Sequence, residues 1–217
     1  MYMPKAFEET RIDVMHGLIR DHPLGLLVTV GSSGLNLNHV PFEVDPARGQ
    51  FGTLLCHVAR NNTVWQDFSN AVQPMVAFQG PSVYVSPNWY PGKREHHKVV
   101  PTYNYAVVHA RGVMTVMDDE AWVRGMVERL TLRMEAGQPQ PWKVGDAPAD
   151  FIASQLKHIV GIEIAITELT GKWKASQNRP VADQQGVIAG LKTQDTDATQ
   201  AFAELMQANV AANSGHS

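Results

Sequence analysis

Apolar runs follow one another along the first half of this chain with turn residues, not helices, between them, and that order decides the class of fold. Leu24-Gly-Leu-Leu-Val-Thr-Val30 leads into a Gly31-Ser-Ser-Gly34 turn and then into residues 35–44, and the pair reads as a β-hairpin. On its second arm Val40, Phe42 and Val44 share one face, so His39 and Pro41 share the other. Residues 51–56, 75–78 and 83–85 supply further short strands. The run 105–117, rich in β-branched valines, supplies a long one. In residues 161–169 a final strand carries Ile162, Ile164 and Ile166 on one side. A doubly wound parallel sheet would need strands and helices in regular alternation, which this chain lacks. The expected fold is therefore mainly antiparallel, a small β-barrel with α elements at its margins.

Helical periodicity is confined to a few segments. Ile12, Met15 and Ile19 recur at helical spacing until Pro23, which disfavours helix in the residue before it. Val64, Trp65 and Phe68 suit a short helix within residues 61–70. Asp118 and Asp119 can cap a helix whose core face is Trp122, Met126, Leu130 and Met134, ending at Gly137. After a proline-containing linker at 138–148, Ile152, Leu156 and Ile159 mark another. Two helices close the chain, at 181–192 and 196–212, the second with Phe202, Leu205, Met206 and Val210 on one side. The organisation expected is a single domain over 1–217, with 181–217 as a C-terminal helical extension. Between strands, residues 86–102 contain Pro87, Pro91, Gly92 and Pro101 and show neither period; an aperiodic stretch of that length inside a compact domain is often functional.

The 217 residues, 44% apolar and 18% charged with a net charge of −3, exclude a disordered or polybasic chain and wholesale electrostatic capture of nucleic acid. A local basic patch on DNA survives that argument, because phosphate contacts depend on where the cations lie. The single cysteine, Cys56, has apolar neighbours and reads as a small core residue, which suits a reducing cytoplasm. Residues 1–10 carry Pro4, Glu8 and Glu9 where a signal peptide needs an apolar stretch, and no run is long enough to span a bilayer. The expectation is a cytoplasmic protein that does not enter the membrane. Nine histidines match no compact ligand spacing, so no metal site is expected, although a single axial histidine to haem leaves no spacing signal. Phosphate-loop and nucleophile-elbow motifs are absent.

Chemistry concentrates in two basic clusters. Lys93, Arg94, Lys98 and Arg111 stand against one acid, Glu95, and Lys172, Lys174 and Arg179 stand in a stretch, 171–182, with none. Hydroxyl and amide side chains accompany both, among them Ser86, Thr102, Asn104, Ser176 and Gln177. Cations with directional donors are what a phosphate needs, and a solvated loop of snorkelling cations is the plainer alternative. Tyr84, Trp89, Tyr90, Tyr103, Tyr105 and Trp173 accompany them. Such rings either flank a planar phosphate-bearing ligand or close a barrel end or an oligomer interface.

The blocks Met1-Tyr-Met-Pro-Lys-Ala-Phe7, His39-Val-Pro-Phe42, His57-Val-Ala-Arg-Asn-Asn62, Phe78-Gln-Gly-Pro81, Val85-Ser-Pro-Asn-Trp-Tyr-Pro91, Val100-Pro-Thr-Tyr-Asn-Tyr105 and Gly171-Lys-Trp-Lys-Ala-Ser-Gln-Asn-Arg-Pro180 together resemble the PaiB family of FMN-binding negative transcriptional regulators. The resemblance runs along the whole chain. Tyr103 stands where the family usually has Trp, Asn88 where Ser is common and Ala175 where Leu is common. It implies an FMN-binding, flavin-reductase-like split β-barrel with flanking helices, a homodimer with ligand sites between subunits, and a role in repressing sporulation and protease genes. Carried over position by position, it makes His39, Pro41, Ser86, Trp89, Tyr90, Lys98, Thr102, Asn104, Lys172, Lys174, Ser176, Gln177 and Arg179 the candidate flavin contacts. Residues 193–217 contain no Lys or Arg, so the terminal helix pair is a poor DNA reader. A regulatory role then runs through a protein partner or the basic loop. An FMN-dependent oxidoreductase is the alternative function, and a haem-binding or haem-degrading split barrel a further one.

Overall fold

A computed structural model describes residues 1–214, with side chains as far as Ala211. Strands β1 (Glu8–Glu9), β2 (Leu24–Gly31), β3 (Gly34–Pro41), β4 (Glu43–Asp45), β5 (Thr53–Ala59), β6 (Met75–Val85), β7 (Thr102–Met117) and β8 (Ile159–Lys174) form one sheet. Its order is β3-β2-β6-β7-β8-β5-β4, with β1 added to β8. The pairings of β2 with β3 and β6, of β5 with β4 and β8, and of β1 with β8 are antiparallel. Helices α1 (Ile12–Asp21), α2 (Lys93–His96), α3 (Glu120–Glu135), α4 (Ala149–Leu156), α5 (Val181–Lys192) and α6 (Asp197–Ser214) flank it. This is an open antiparallel sheet with flanking helices and a C-terminal helical pair, as expected. Among the described residues no helix is long and apolar enough to cross a membrane.

The chain forms two compact units, and β6, β7 and β8 each run through both. One comprises Ile12–Phe78 and His109–Leu169. There β2 and β3 form the hairpin over a Gly31↔Gly34 closing pair, with Gly34 at φ 102, a conformation glycine adopts freely. Val40, Phe42 and Val44 are buried and His39 and Pro41 exposed, as the alternation requires. Phe42 meets Phe78 edge to face, with ring centroids 5.7 Å apart. Cys56 is fully buried among these strands and burial pushes its thiol up, so it is an inert core residue. Ile162, Ile164 and Ile166 are all buried.

The other unit comprises Met1–Arg11, Gln79–Val108 and the chain from Thr170 onward. Its core joins Val83, Val85 and Tyr90 to Ala175, to Val187, Ile188 and Leu191 of α5 and to Phe202, Ala203 and Met206 of α6, so the apolar faces expected for the terminal helices are the ones used.

Several elements differ from expectation. Residues 61–70 form only a 3-10 turn, Thr63–Trp65, capped by Asn62 Oδ1 accepting from Val64 N–H. The polar side chains beyond it bond elsewhere: Asp67 accepts from Ser32, and Asn70 exchanges two hydrogen bonds with the Met114 backbone. Such bonds compete with helix propagation. The segments 75–78 and 83–85 are one strand, β6, passing through Pro81, whose fixed φ suits extended chain and whose missing donor is lost only once. Helix α3 buries Val123 and Met126 while Met134 is exposed, because the helix outruns the surface it covers. Ile159 opens β8 instead of closing α4. Strand β8 also continues five residues past the expected end, so the basic stretch 171–174 is strand, not loop.

Gly161 sits where a Cβ would lie 2.2 Å from the Trp122 ring and 2.9 Å from the Met117 carbonyl. Trp122 in turn donates its indole N–H to Glu163, which Arg48 grips with both terminal guanidinium nitrogens. Gly161→Ala must push that ring away, and urea denaturation is expected to show a loss of about 1–3 kcal/mol.

Candidate functional site

In the unit containing α5 and α6, successive residues of β7 point alternately to opposite faces, so Tyr103 and Tyr105 share one and Thr102 and Asn104 the other. Two lysines of β8 meet this segment. The Lys172 ammonium lies 5.4 Å and the Lys174 ammonium 5.9 Å from the centroid of the Tyr105 ring. Lys172 also lies 5.6 Å from the Tyr2 ring and donates to the Tyr2 carbonyl at 3.1 Å. What brings Tyr2 there is β1, which pairs Glu8 with Lys172 and Glu9 with Gly171. Lys174 donates to Thr102 Oγ1 and to the Tyr103 carbonyl.

Neither ammonium is ion-paired among the described residues, although Lys172 is only 6% exposed. Glu8 stands opposite Lys172 in register without bonding to it, and Glu9 is spent on Arg11 at 2.6 Å. Burial first, and then the positive charge of Lys172, hold the Lys174 ammonium below the usual lysine range, with Tyr105 acting in the opposite sense. Rings facing a cation offset part of that cost, on the order of 0.5–2 kcal/mol each. An ammonium has three N–H donors, so Lys174 keeps one and Lys172 two for another acceptor.

The chain after β8 is tied to the same place. Asn104 Nδ2 donates to Ser176 Oγ at 2.9 Å, both residues being buried. Ser176 has φ 62, the left-handed region that non-glycine residues seldom occupy. Around it Ala175 N–H donates to Gln177 Oε1 at 2.7 Å, Gln177 Nε2 donates to the Trp173 carbonyl, and Arg179 N–H donates to the Ser176 carbonyl at 2.9 Å. Gln177 therefore braces the turn with its side chain.

The thirteen expected contacts thus divide. Thr102, Asn104, Lys172, Lys174, Ser176 and Gln177 form one group. Trp89, Tyr90 and Arg179 belong to the packing around α5, Tyr90 being buried and the Arg179 guanidinium lying 5.4 Å from its ring, while Ser86 caps the 3-10 turn Pro87–Trp89, its Oγ accepting from Asn88 N–H. A Cβ on Gly190 would lie 2.4 Å from the Trp89 ring, and one on Gly186 2.2 Å from the Trp89 carbonyl. Buried Asp183 of α5 accepts from Gly92 N–H at 2.9 Å and so fixes the end of this loop. Lys98 is exposed, and its backbone N–H donates to His96 Nδ1 at 3.0 Å. His39 and Pro41 lie on the exposed face of β3 in the other unit. Tyr2 and Tyr105 were absent from the expected set, though each stands in a block quoted for the family resemblance. No cluster of three or more metal-ligating side chains occurs among the described residues.

The profile of a family described as "Putative FMN-binding domain" matches residues 1–168. An uncharacterized protein of Emericella nidulans is 32% identical over 95% of this chain and 96% of its own length. The protease synthase and sporulation protein PAI 2 of Bacillus subtilis is 29% identical over 95% of this chain and 97% of its own length. Among solved structures, the FAD and heme binding protein of Mycobacterium smegmatis superposes with a TM-score of 0.55 at 15% identity, covering 84% of this chain and 80% of that one.

A lysine held below its ordinary value of 10.5 carries a charge that folding disfavours. The unfolded state then binds the proton more tightly, so stability rises with pH between the lowered value and 10.5. Urea midpoints of the ligand-free protein are expected to show this alkaline rise in the wild type and its loss in Lys174→Met. An equal rise in both would mean that Lys174 is as well solvated as any surface lysine.

Proposed function

This chain belongs to the FMN-binding domain family, and from that premise we propose that Lys172 and Lys174 hold the phosphate of FMN. The observation that carries the reading is the pair of ammonium groups on one tyrosine ring, unpaired by any carboxylate and with N–H donors to spare. A dianion answers both needs at once: it relieves the repulsion between the lysines and fills the donors with charge-assisted bonds. Thr102 orients Lys174, and the Asn104–Ser176–Gln177 bracket keeps the strand end rigid. Trp89 and Tyr90 are the candidates to border the ring, with Ser86, Lys98 and Arg179 as further polar contacts. His39 and Pro41, on the exposed face of β3 in the other unit, are candidates by the family resemblance alone. When bound, the flavin supplies redox chemistry; the protein supplies binding and orientation.

The likeness to PAI 2, a protease synthase and sporulation protein, supports a regulatory role over a purely metabolic one. We place that role away from direct base reading by α6, whose 18 residues include no cation to meet phosphate. A regulatory protein partner is the more consistent route. An FMN-dependent oxidoreductase uses the same lysine pair and is the second reading. The cytoplasm is the compartment in keeping with a lone, buried cysteine.

A homodimer belongs to the same proposal. The β2–β3 hairpin lies at the sheet edge and leaves Leu24 62%, Leu35 72% and Leu37 56% exposed on the face that carries His39 and Pro41. A second copy is the occupant that a self-complementary apolar face fits. Sedimentation is expected to give a dimer for the wild type and a folded monomer for Leu35→Glu combined with Leu37→Glu.

Titration of the purified protein with FMN, followed by quenching of flavin fluorescence, tests the site. Lys174→Ala and Lys172→Met are each expected to weaken FMN about tenfold or more, the scale of a hydrogen bond to a charged group. Riboflavin, which lacks the phosphate, is expected to bind the wild type and both variants alike. FMN binding untouched by either change would remove the phosphate from these lysines. A Soret band with haemin and no response to FMN would replace the flavin itself.

A further inference from the structure

A cleft of about 550 Å³ opens in the unit containing α5 and α6, within the range of small-molecule sites. Three rings line it, those of Tyr84, Trp89 and Tyr103, together with the hydroxyls of Ser82, Ser86 and Thr199. None of its lining residues is Lys, Arg, Asp, Glu or His. The walls are set in place before any ligand arrives. Tyr84 and Tyr103 meet edge to face with centroids 6.0 Å apart, and Trp89 lies against Gly190, where even a methyl group would collide with the indole. Thr199 is anchored at the start of α6 by bonds to the Thr196 carbonyl and hydroxyl. Yet Tyr84 is 49% and Tyr103 62% exposed. Two adjacent aromatic rings therefore face water although the fold has an adequate core without them.

We propose that this cleft binds an uncharged ring bearing hydroxyl groups, a nucleoside or a sugar. Aromatic faces recognise the flat or apolar side of such a ring whatever its identity. The Thr199 hydroxyl is spent within its own turn, while the Ser82 and Ser86 hydroxyl oxygens each accept from a protein N–H and keep a proton to donate, which matches a polyol. A charged ligand would lose hydration here and find no countercharge among the lining side chains. The cleft shares Trp89 and Ser86 with the candidate flavin contacts, but the proposal rests on the lining of this cleft, and the ammonium groups of Lys172 and Lys174 take no part.

Calorimetric titration of the full chain with adenosine in one arm and glucose in the other tests it, and also tells the two sources apart. Binding of either is expected, weakened about tenfold or more by Tyr84→Ala and by Tyr103→Ala, the scale of one lost stacking platform. Both residues are exposed, so the variants are expected to keep the wild-type circular dichroism spectrum and urea midpoint. AMP is expected to bind no tighter than adenosine, and Lys174→Ala to leave adenosine unaffected. Three results would overturn the proposal: no binding of either probe at millimolar concentration, binding indifferent to both tyrosines, or AMP preferred over adenosine in a manner abolished by Lys174→Ala. The last would make the cleft an arm of the phosphate site.

Discussion

Continuous backbone pairing along β8 is the constraint on which most of this structure rests. One 16-residue strand bonds to β5 near its start and to β1 near its end. Its burial does not keep one parity throughout: Ile162, Ile164 and Ile166 are buried, Thr167 and Glu168 are both exposed, and Leu169 and Trp173 are buried after them. The shift falls where the chain passes from one compact unit to the other. Leu169 and Trp173 take the apolar role there, while Lys172, though buried, has its ammonium met by the Tyr2 carbonyl and by the Tyr2 and Tyr105 rings.

The lysine pair is poorly matched to the protein's own stability and well matched to an anion. Two like charges share a ring, one of them nearly buried, and no carboxylate of the described residues neutralises them. A fold selected for stability alone would place an acid at Glu8's position within reach, and here that acid stands opposite without bonding. Such stored mismatch is characteristic of sites that a ligand completes. The surrounding bracket of Asn104, Ser176 and Gln177 is, by contrast, fully bonded, which keeps the mismatch from being relieved by movement of the backbone.

Local physics explains which parts were legible in advance. Helix α5 has the bounds expected of it, and α1 stops before Pro23, because periodicity and proline act within a turn or two of chain. The hairpin and the isoleucine row were readable because period-2 burial is visible in residue types. Strand β8 beyond Leu169 was not, since Thr170-Gly-Lys-Trp-Lys174 carries no alternation of polarity and owes its extension to pairing with β1, far away in sequence. Residues 61–70 misled because their aromatic spacing is helical while their amides and carboxylate serve other segments. Among the candidate contacts, chemistry and the order of the blocks singled out Thr102, Asn104, Lys172, Lys174, Ser176 and Gln177, which the fold brings together. Tyr2 left no local sign, because its link to Lys172 spans 170 residues. Lys98, an exposed cation in the same blocks, shows that residue type alone does not place a side chain beside its neighbours.

That long link has a meaning for how the molecule is made. The segment that presents a carbonyl and a ring to Lys172 leaves the ribosome before its partner strand, which follows 170 residues later. At about 5–20 residues per second, the amino-terminal arm waits roughly 10–35 seconds for the strand it will join. The loop around Trp89 waits as well, because Asp183, which holds Gly92, is made 91 residues after it, together with the two glycines of α5 that Trp89 packs on. A chain interrupted before Gly171 therefore carries most of its hydrophobic sheet but neither lysine of the pair, and quality control acting on nascent chains meets that sheet before the two cations are in place.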